Sequence, residues 1–171
     1  MRKVMLLSLA LLMLTAGMYA QESAFGGDGG TTRIAVSVGP EWNMNARENF
    51  AAAAMMSADY NLPFSFAAGL NFAVSSNFQN ITIVEPAAMF RWYFLRDKFV
   101  GHDHSGFFAQ ADLGISMVVE QDGASPMFMG GLRGGFRLPL TELFYVEPYG
   151  RIGYPFAFGI GALAGVRLWR E

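Results

Sequence analysis

The stretch Phe64-Ser65-Phe66-Ala67-Ala68-Gly69-Leu70-Asn71-Phe72-Ala73-Val74-Ser75 changes side at every residue. Phe64, Phe66, Ala68, Leu70, Phe72 and Val74 form one face, and Ser65, Ala67, Gly69, Asn71, Ala73 and Ser75 form the other. Side chains of an extended chain point alternately to opposite sides, so an unbroken period of two predicts a β-strand with one apolar face.

The same period recurs downstream. Phe107, Ala109, Ala111, Leu113, Ile115, Met117 and Val119 oppose Gln110, Asp112, Gly114, Ser116 and Glu120, and Phe128, Leu132, Phe136 and Leu138 oppose Gly131, Arg133, Gly135 and Arg137. Val146, Ile152 and Tyr154 oppose Glu147, Tyr149, Arg151 and Gly153. Phe158, Ile160, Ala162, Ala164, Val166 and Leu168 oppose Gly159, Gly161, Gly165 and Arg167. Upstream, Ile34, Val36 and Val38 alternate with Arg33, Ala35 and Ser37, while Val84, Ala88, Phe90, Trp92 and Phe94 alternate with Glu85, Met89, Arg91 and Tyr93. Ala51 to Ala54 would suit a helix by propensity, but Phe50, Met56 and Tyr60 share a parity opposite Ser57 and Asp59, which makes Phe50 to Tyr60 a strand.

Eight strands result. The segments between them are Gly39 to Asn49, Asn61 to Pro63, Ser76 to Asn80, Arg96 to Gly106, Gln121 to Ser125, Pro139 to Leu143 and the region around Pro155. An even number of antiparallel strands puts both chain ends on one side.

Eight amphipathic strands close either as a soluble calycin-like barrel, apolar inside, or as a membrane barrel, apolar outside. The polar face decides between them. A wet face would be rich in Lys, Glu and Thr, whereas this one is Gly, Ala and Ser with sparse charges: Arg33, Asp59, Glu85, Arg91, Asp112, Glu120, Arg133, Arg137, Glu147, Arg151 and Arg167. Six arginines against five carboxylates, with no lysine, suit a narrow lumen in which rigid guanidinium forks hold carboxylates where water is scarce. Aromatic residues near strand ends fit interfacial girdles: Trp42, Tyr60, Phe64, Trp92, Tyr93, Phe94, Phe107, Phe144, Tyr145, Tyr154 and Trp169.

Composition agrees. The chain has 171 residues, of which 53% are hydrophobic and 15% charged, with no cysteine and a net charge of -2. Disulfide scaffolds, thiol enzymes, disordered chains and N-terminal cysteine lipidation are excluded, and no basic excess points to nucleic acid. Arg2 and Lys3 precede an apolar run from Val4 to Leu14 and then small residues, the pattern of a secretory signal peptide over residues 1–20. Cleavage after Ala20 is preferred, with Met18 at the third position back; cleavage after Gly17 is the alternative. Two of the twelve basic residues lie in this segment, so the mature chain carries ten against fourteen acids, a charge of -4. Residues 21–31, with Gly26-Gly27-Asp28-Gly29-Gly30, read as a flexible lead-in to a barrel domain over 32–171. No other stretch approaches the roughly 20 apolar residues of a spanning helix, and Lys98 is the only lysine left after the signal. Water is not the main solvent of such a surface.

With Ala88-Met89-Phe90-Arg91-Trp92-Tyr93-Phe94 and Tyr149-Gly150-Arg151-Ile152-Gly153-Tyr154 in place, the chain resembles the small outer-membrane β-barrels of the OmpA, OmpX and OmpW kind from Thr32 to Trp169. The resemblance implies an all-β, eight-stranded antiparallel up-and-down transmembrane barrel in the cell outer membrane. It also implies outer-membrane lipid and the barrel-assembly machinery as partners. Such barrels commonly finish on an aromatic residue; this chain departs from that with Leu168-Trp169-Arg170-Glu171, where Trp169 is the substitute.

Chemistry-bearing constellations are few. His102 and His104, in His102-Asp103-His104-Ser105, are metal-ligand types without an identifiable third and fourth ligand, so loop histidines in solvent are the plainer reading. His104 and Ser105 form the sole nucleophile-and-base pair open to a lipid-modifying enzyme, but adjacent residues rarely converge on one point. Met127 and Met129 share a face and fit packing better than copper binding. Gly130-Gly131 and Gly134-Gly135 lack phosphate-loop spacing and read as room-making inside a barrel.

The expectation is a monomeric, non-enzymatic outer-membrane barrel without cofactor, its lumen filled by paired charges and its extracellular ligand unidentified. The alternatives are a narrow OmpW-like channel for a small solute and a soluble periplasmic binder of a hydrophobic ligand.

Overall fold

The computed structural model describes residues 32–44, 50–62, 65–78, 81–94, 104–120 and 123–170, with the side chains of 32, 33, 120, 169 and 170 left out. The expected signal peptide and lead-in lie outside these residues. Eight strands follow one another: β1 Thr32–Met44, β2 Phe50–Asn61, β3 Phe66–Ser76, β4 Thr82–Tyr93, β5 Gly106–Glu120, β6 Gly123–Pro139, β7 Phe144–Tyr154 and β8 Phe158–Arg170. Each pairs antiparallel with the next, and β8 pairs back onto β1, through partners such as Trp42 with Ile160 and Val36 with Val166. The result is a closed all-β up-and-down barrel. Its strands run from 11 to 17 residues, enough to span a bilayer at a tilt, for which about 9–11 are needed.

Parity fixes which residues face in. Leu70, Leu113 and Phe128 are exposed on the outer wall at 67%, 62% and 66%, whereas Glu41, Arg137 and Glu147 in the lumen are fully buried. A soluble calycin-like barrel has the opposite arrangement, and that alternative is excluded.

The outer wall carries the aromatic belt. Phe66 stacks on Phe90, and Trp92, Phe94, Phe107 and Phe136 continue the chain of rings around the termini end of the barrel. Trp42, Tyr154 and Phe158 stand on the outer wall at the far end. Two expected girdle residues do not belong to it: Tyr93 and Tyr145 are buried in the lumen, because they share parity with Arg91 and Glu147. Phe64 and the Trp169 side chain lie outside the described residues.

Two segments read as loops are strand. The β1 ladder runs through Gly39 and Pro40 to Met44 on its β2 side, and pairing with β8 resumes at Glu41. Pro40 lacks an N–H donor, and the β8 register gives no partner to Gly39 or Pro40. On the other side of the barrel, β5 and β6 stay paired up to Glu120 with Gly123, so the strand reaches into the segment from Gln121 to Ser125. Of the paired glycines, Gly135 makes room in the lumen, since a Cβ there would strike Phe108 and Tyr149. Gly134 faces outward instead.

Candidate functional site

The lumen is the only region of the described residues where charged side chains are buried together. Each strand contributes from its inner parity, so residues far apart in sequence meet across a narrow bore. Two layers form.

The layer nearer the termini holds Asp59 of β2, Arg91 of β4, Arg137 of β6 and Glu147 of β7. Arg137 donates through Nε to Glu147 and through Nη2 to Asp59. Arg91 Nη1 donates to Glu147 Oε1 at 2.6 Å and to the Tyr93 hydroxyl at 3.0 Å, with Asp59 Oδ2 at 3.5 Å. Aromatic faces cover the guanidinium groups: Arg91 lies 4.2 Å from the Phe108 ring centre and Arg137 lies 4.3 Å from that of Tyr145. Arg91 Nε also donates to Gln110 Oε1, and Gln110 Nε2 donates to Asp112 Oδ1, which links this layer to the next.

The far layer holds Glu41 of β1, Glu85 of β4, Asp112 of β5, Arg133 of β6 and Arg151 of β7. Arg133 Nε donates to Asp112 Oδ2 at 2.7 Å, and Asn71 Nδ2 donates to Asp112 Oδ1 at 2.6 Å. Arg151 Nη1 serves Glu41 at 2.9 Å and Glu85 at 3.3 Å. The Tyr149 hydroxyl donates to Glu41 Oε2 at 2.7 Å, and Asn43 Nδ2 donates to Glu41 Oε1 at 2.8 Å. Above this layer, in the connection between β7 and β8, Phe156 is buried with its ring centre 5.8 Å from the Arg151 guanidinium.

At the termini end the bore is closed by a different set. The His104 ring stands edge-on to Tyr93, and its Nε2 lies 2.8 Å from the Leu62 carbonyl oxygen, which requires the proton on that nitrogen. Arg167 Nη2 donates to Ser105 Oγ at 2.8 Å, and its Nη1 lies 3.4 Å from the Glu142 carbonyl. His104 and Ser105 thus tie the segment before β5 to Leu62 and to β8. His102 lies outside the described residues. Met129 is buried in the lumen, while the Met127 sulfur accepts from the Tyr154 hydroxyl at 3.4 Å near the rim.

Of the eleven charged residues expected in the lumen, Asp59, Glu85, Arg91, Asp112, Arg133, Arg137, Glu147, Arg151 and Arg167 are buried there. Arg33 and Glu120 have side chains outside the described set. Glu41 was not among the eleven, because Gly39-Pro40 reads as a turn. The signal was nonetheless present, since Glu41 keeps the odd parity of Ala35 and Ser37. Tyr149 lies on the inner face, as its parity predicts, and its hydroxyl donates to Glu41.

Neither a family model nor a curated protein matches the sequence. Solved structures do match. Neisserial surface protein A superposes with a TM-score of 0.56 at 14% identity, covering 82% of this chain and 99% of the other. The N-terminal β-barrel domain of Pseudomonas aeruginosa OprF gives a TM-score of 0.51 at 13% identity, covering 81% of this chain and 98% of the other. At such identities the likeness lies in the backbone, with the apolar wall and the charged bore as its physical counterpart: the chain has the fold of the small eight-stranded outer-membrane β-barrels.

Proposed function

We propose that this protein is a non-enzymatic integral membrane barrel of structural or interaction type, resident in the outer membrane after export by its N-terminal signal peptide. The observation that carries the reading is the filled bore. Five buried carboxylates and five buried arginines, counted among the described residues, occupy the lumen, and Phe156 and the His104 connection stand at its two ends. A side-chain-filled bore of eight strands has no room for general diffusion.

Its contacts are then with outer-membrane lipid along the aromatic and aliphatic wall, with the assembly machinery during insertion, and with an extracellular ligand at the far end. The connections there are small, at 45–49, 77–81, 121–122 and 155–157, which favours a compact contact over a broad adhesive surface. The barrel acts as a monomer, and nothing in its charge pattern favours nucleic acid. The engagement of His104 by Leu62 and of Ser105 by Arg167 supports a non-catalytic role for that pair.

The test compares unboiled and boiled gel mobility of the chain refolded with and without detergent micelles, followed by planar-bilayer recording. A heat-modifiable band that needs detergent, and electrical silence, are the expected results. Reproducible unitary currents altered by Arg133→Met or Arg137→Met would replace the closed barrel with a narrow channel. N-terminal sequencing of the envelope-purified protein is expected to begin at Gln21.

A further inference from the structure

The strands do not end level at the far mouth. β7 stops at Tyr154, which pairs with Gly130 of β6, whereas the ladder between β5 and β6 runs on to Glu120 and Gly123. Gly123 to Met129 therefore has β5 on one side and no strand on the other among the described residues. Tyr154 belongs to the far belt, and β6 climbs from Gly130 toward Gly123, so this free edge stands beyond the belt.

The register fixes which backbone groups the edge presents. The Leu140 N–H donates to the Phe144 carbonyl at 2.9 Å, and β6 keeps one register against β7 from there back to Gly130. Backbone groups of successive residues in a strand point to opposite neighbours, so the even-numbered residues of β6 point theirs toward β7, and the unbroken pairing with β5 from Arg137 to Gly123 carries that alternation to the tip. At the free edge the set pointing outward is Ala124, Pro126 and Phe128, which offers the carbonyls of all three and the N–H groups of Ala124 and Phe128. Pro126 sits where a missing N–H removes no bond to β5. The stretch Gly123-Ala124-Ser125-Pro126-Met127-Phe128-Met129 holds no charged residue, although charge is a common means of blunting an exposed edge. Met117, Val119 and Phe128 are exposed together on the outer face of the same hairpin.

We propose that this edge receives an extended segment of a different polypeptide as an added antiparallel strand, its apolar side chains lying over Met117, Val119 and Phe128. The inference rests on the reading of the barrel as an interaction protein and names the form of its partner. In such an addition main-chain bonds give affinity and alternate side chains give selectivity. An antiparallel partner exchanges both bonds at Ala124 and at Phe128 and donates one to the Pro126 carbonyl. Residues directly opposite one another share a face of the sheet, so the partner's apolar residues are the ones that make these bonds. A second copy of this chain does not fit. Copies inserted the same way in one membrane are related by an axis along its normal, and edge strands tilted by about 35–45° then cross at about 70–90° where they face each other, which breaks the ladder.

The probe is a fluorescein-labelled peptide of about seven residues, alternating threonine and valine with a lysine at each end, titrated by fluorescence anisotropy against the barrel refolded in detergent micelles. Saturable binding is expected. Methylating the valine amide nitrogens is expected to abolish it, because those groups face Ala124, Pro126 and Phe128, and methylating the threonine nitrogens to leave it unchanged. Ala124→Pro removes one edge donor without touching the β5 ladder and is expected to weaken binding about tenfold, with the heat-modifiable band retained. Equal binding of the two methylated peptides, or unchanged affinity in Ala124→Pro, would overturn the proposal, since adsorption to the micelle or to the apolar face gives both. A barrel dimer in micelles that Ala124→Pro abolishes would assign the edge to a second copy and overturn it as well. No binding by a chain that keeps its heat-modifiable band would overturn the strand addition and leave the barrel reading standing, whereas absence of that band in the parent chain would overturn both.

Discussion

Arg137 stands between Asp59 and Glu147 with a separate nitrogen for each, under the Tyr145 ring; Arg151 serves Glu41 and Glu85 through one nitrogen, beside Gly159 and below Phe156. The same residue types thus make a tight layer near the termini and a loose one at the far end. Two properties separate them. The tight layer is charge-neutral, with Phe108 and Tyr145 rings 4.2 and 4.3 Å from its guanidinium groups; the loose one has three acids for two arginines, whose rings, Tyr149 and Phe156, stand off at 5.0 and 5.8 Å. Packing and charge balance go together here, because a guanidinium held against rings offers a separate nitrogen to each of two carboxylates.

The most severe way to break the contrast is Arg137→Met. It leaves Asp59 and Glu147 short of a partner in a dry interior and is expected to cost about 3–5 kcal/mol, read as a lower urea midpoint in micelles. Arg151→Met should cost about 3 kcal/mol, the lower end of the same range, since Glu85 loses its ion-pair partner while Glu41 keeps Tyr149 and Asn43; equal losses in the two variants would erase the distinction between layers. Glycine replacements sharpen it further. A Cβ at Gly165 would enter the Tyr145 ring, so Gly165→Ala is expected to destabilise by about 1–3 kcal/mol. At Gly159 the Cβ meets the flexible Arg151 chain and the Asn43 amide, and Gly159→Ala should cost less than Gly165→Ala in the same unfolding assay. The smallest effect belongs to Glu85→Gln, expected within about 0.5 kcal/mol of the parent, because the layer then holds two carboxylates for two arginines.

The wall was legible in the sequence because a strand's period is short and strict: Leu70 and Asn71 declare their sides within a few residues of context. Inner residues such as Arg137 and Glu147 were legible for the same reason. Their pairing was not, since it depends on strand register and tilt around a closed bore, which bring Arg137 to Asp59 across 78 positions of sequence. Glu41 was hidden by the turn-like Gly39-Pro40, whose backbone stays in the sheet because β2 pairs it throughout. Tyr93 and Tyr145 were drawn to the girdle by residue type, against their parity; parity wins in a barrel because the side of the wall is set by the backbone. The closure by His104 and Arg167 could not be read in advance, as connections carry no period.

Pairing of β8 with β1 also has a consequence for the order of events in assembly. Bonds such as Arg151 to Glu41 span 110 residues, so the most distant partners in the chain are also among the most deeply buried. Long-range contacts of this kind make a fold slow, because loop closure must precede any gain from the contact. An open sheet lying in hydrocarbon would expose ten ionised side chains and two unpaired strand edges to lipid. Insertion and closure are therefore expected to be coupled for this chain, the seam zipping while the charged interior is kept from the acyl chains.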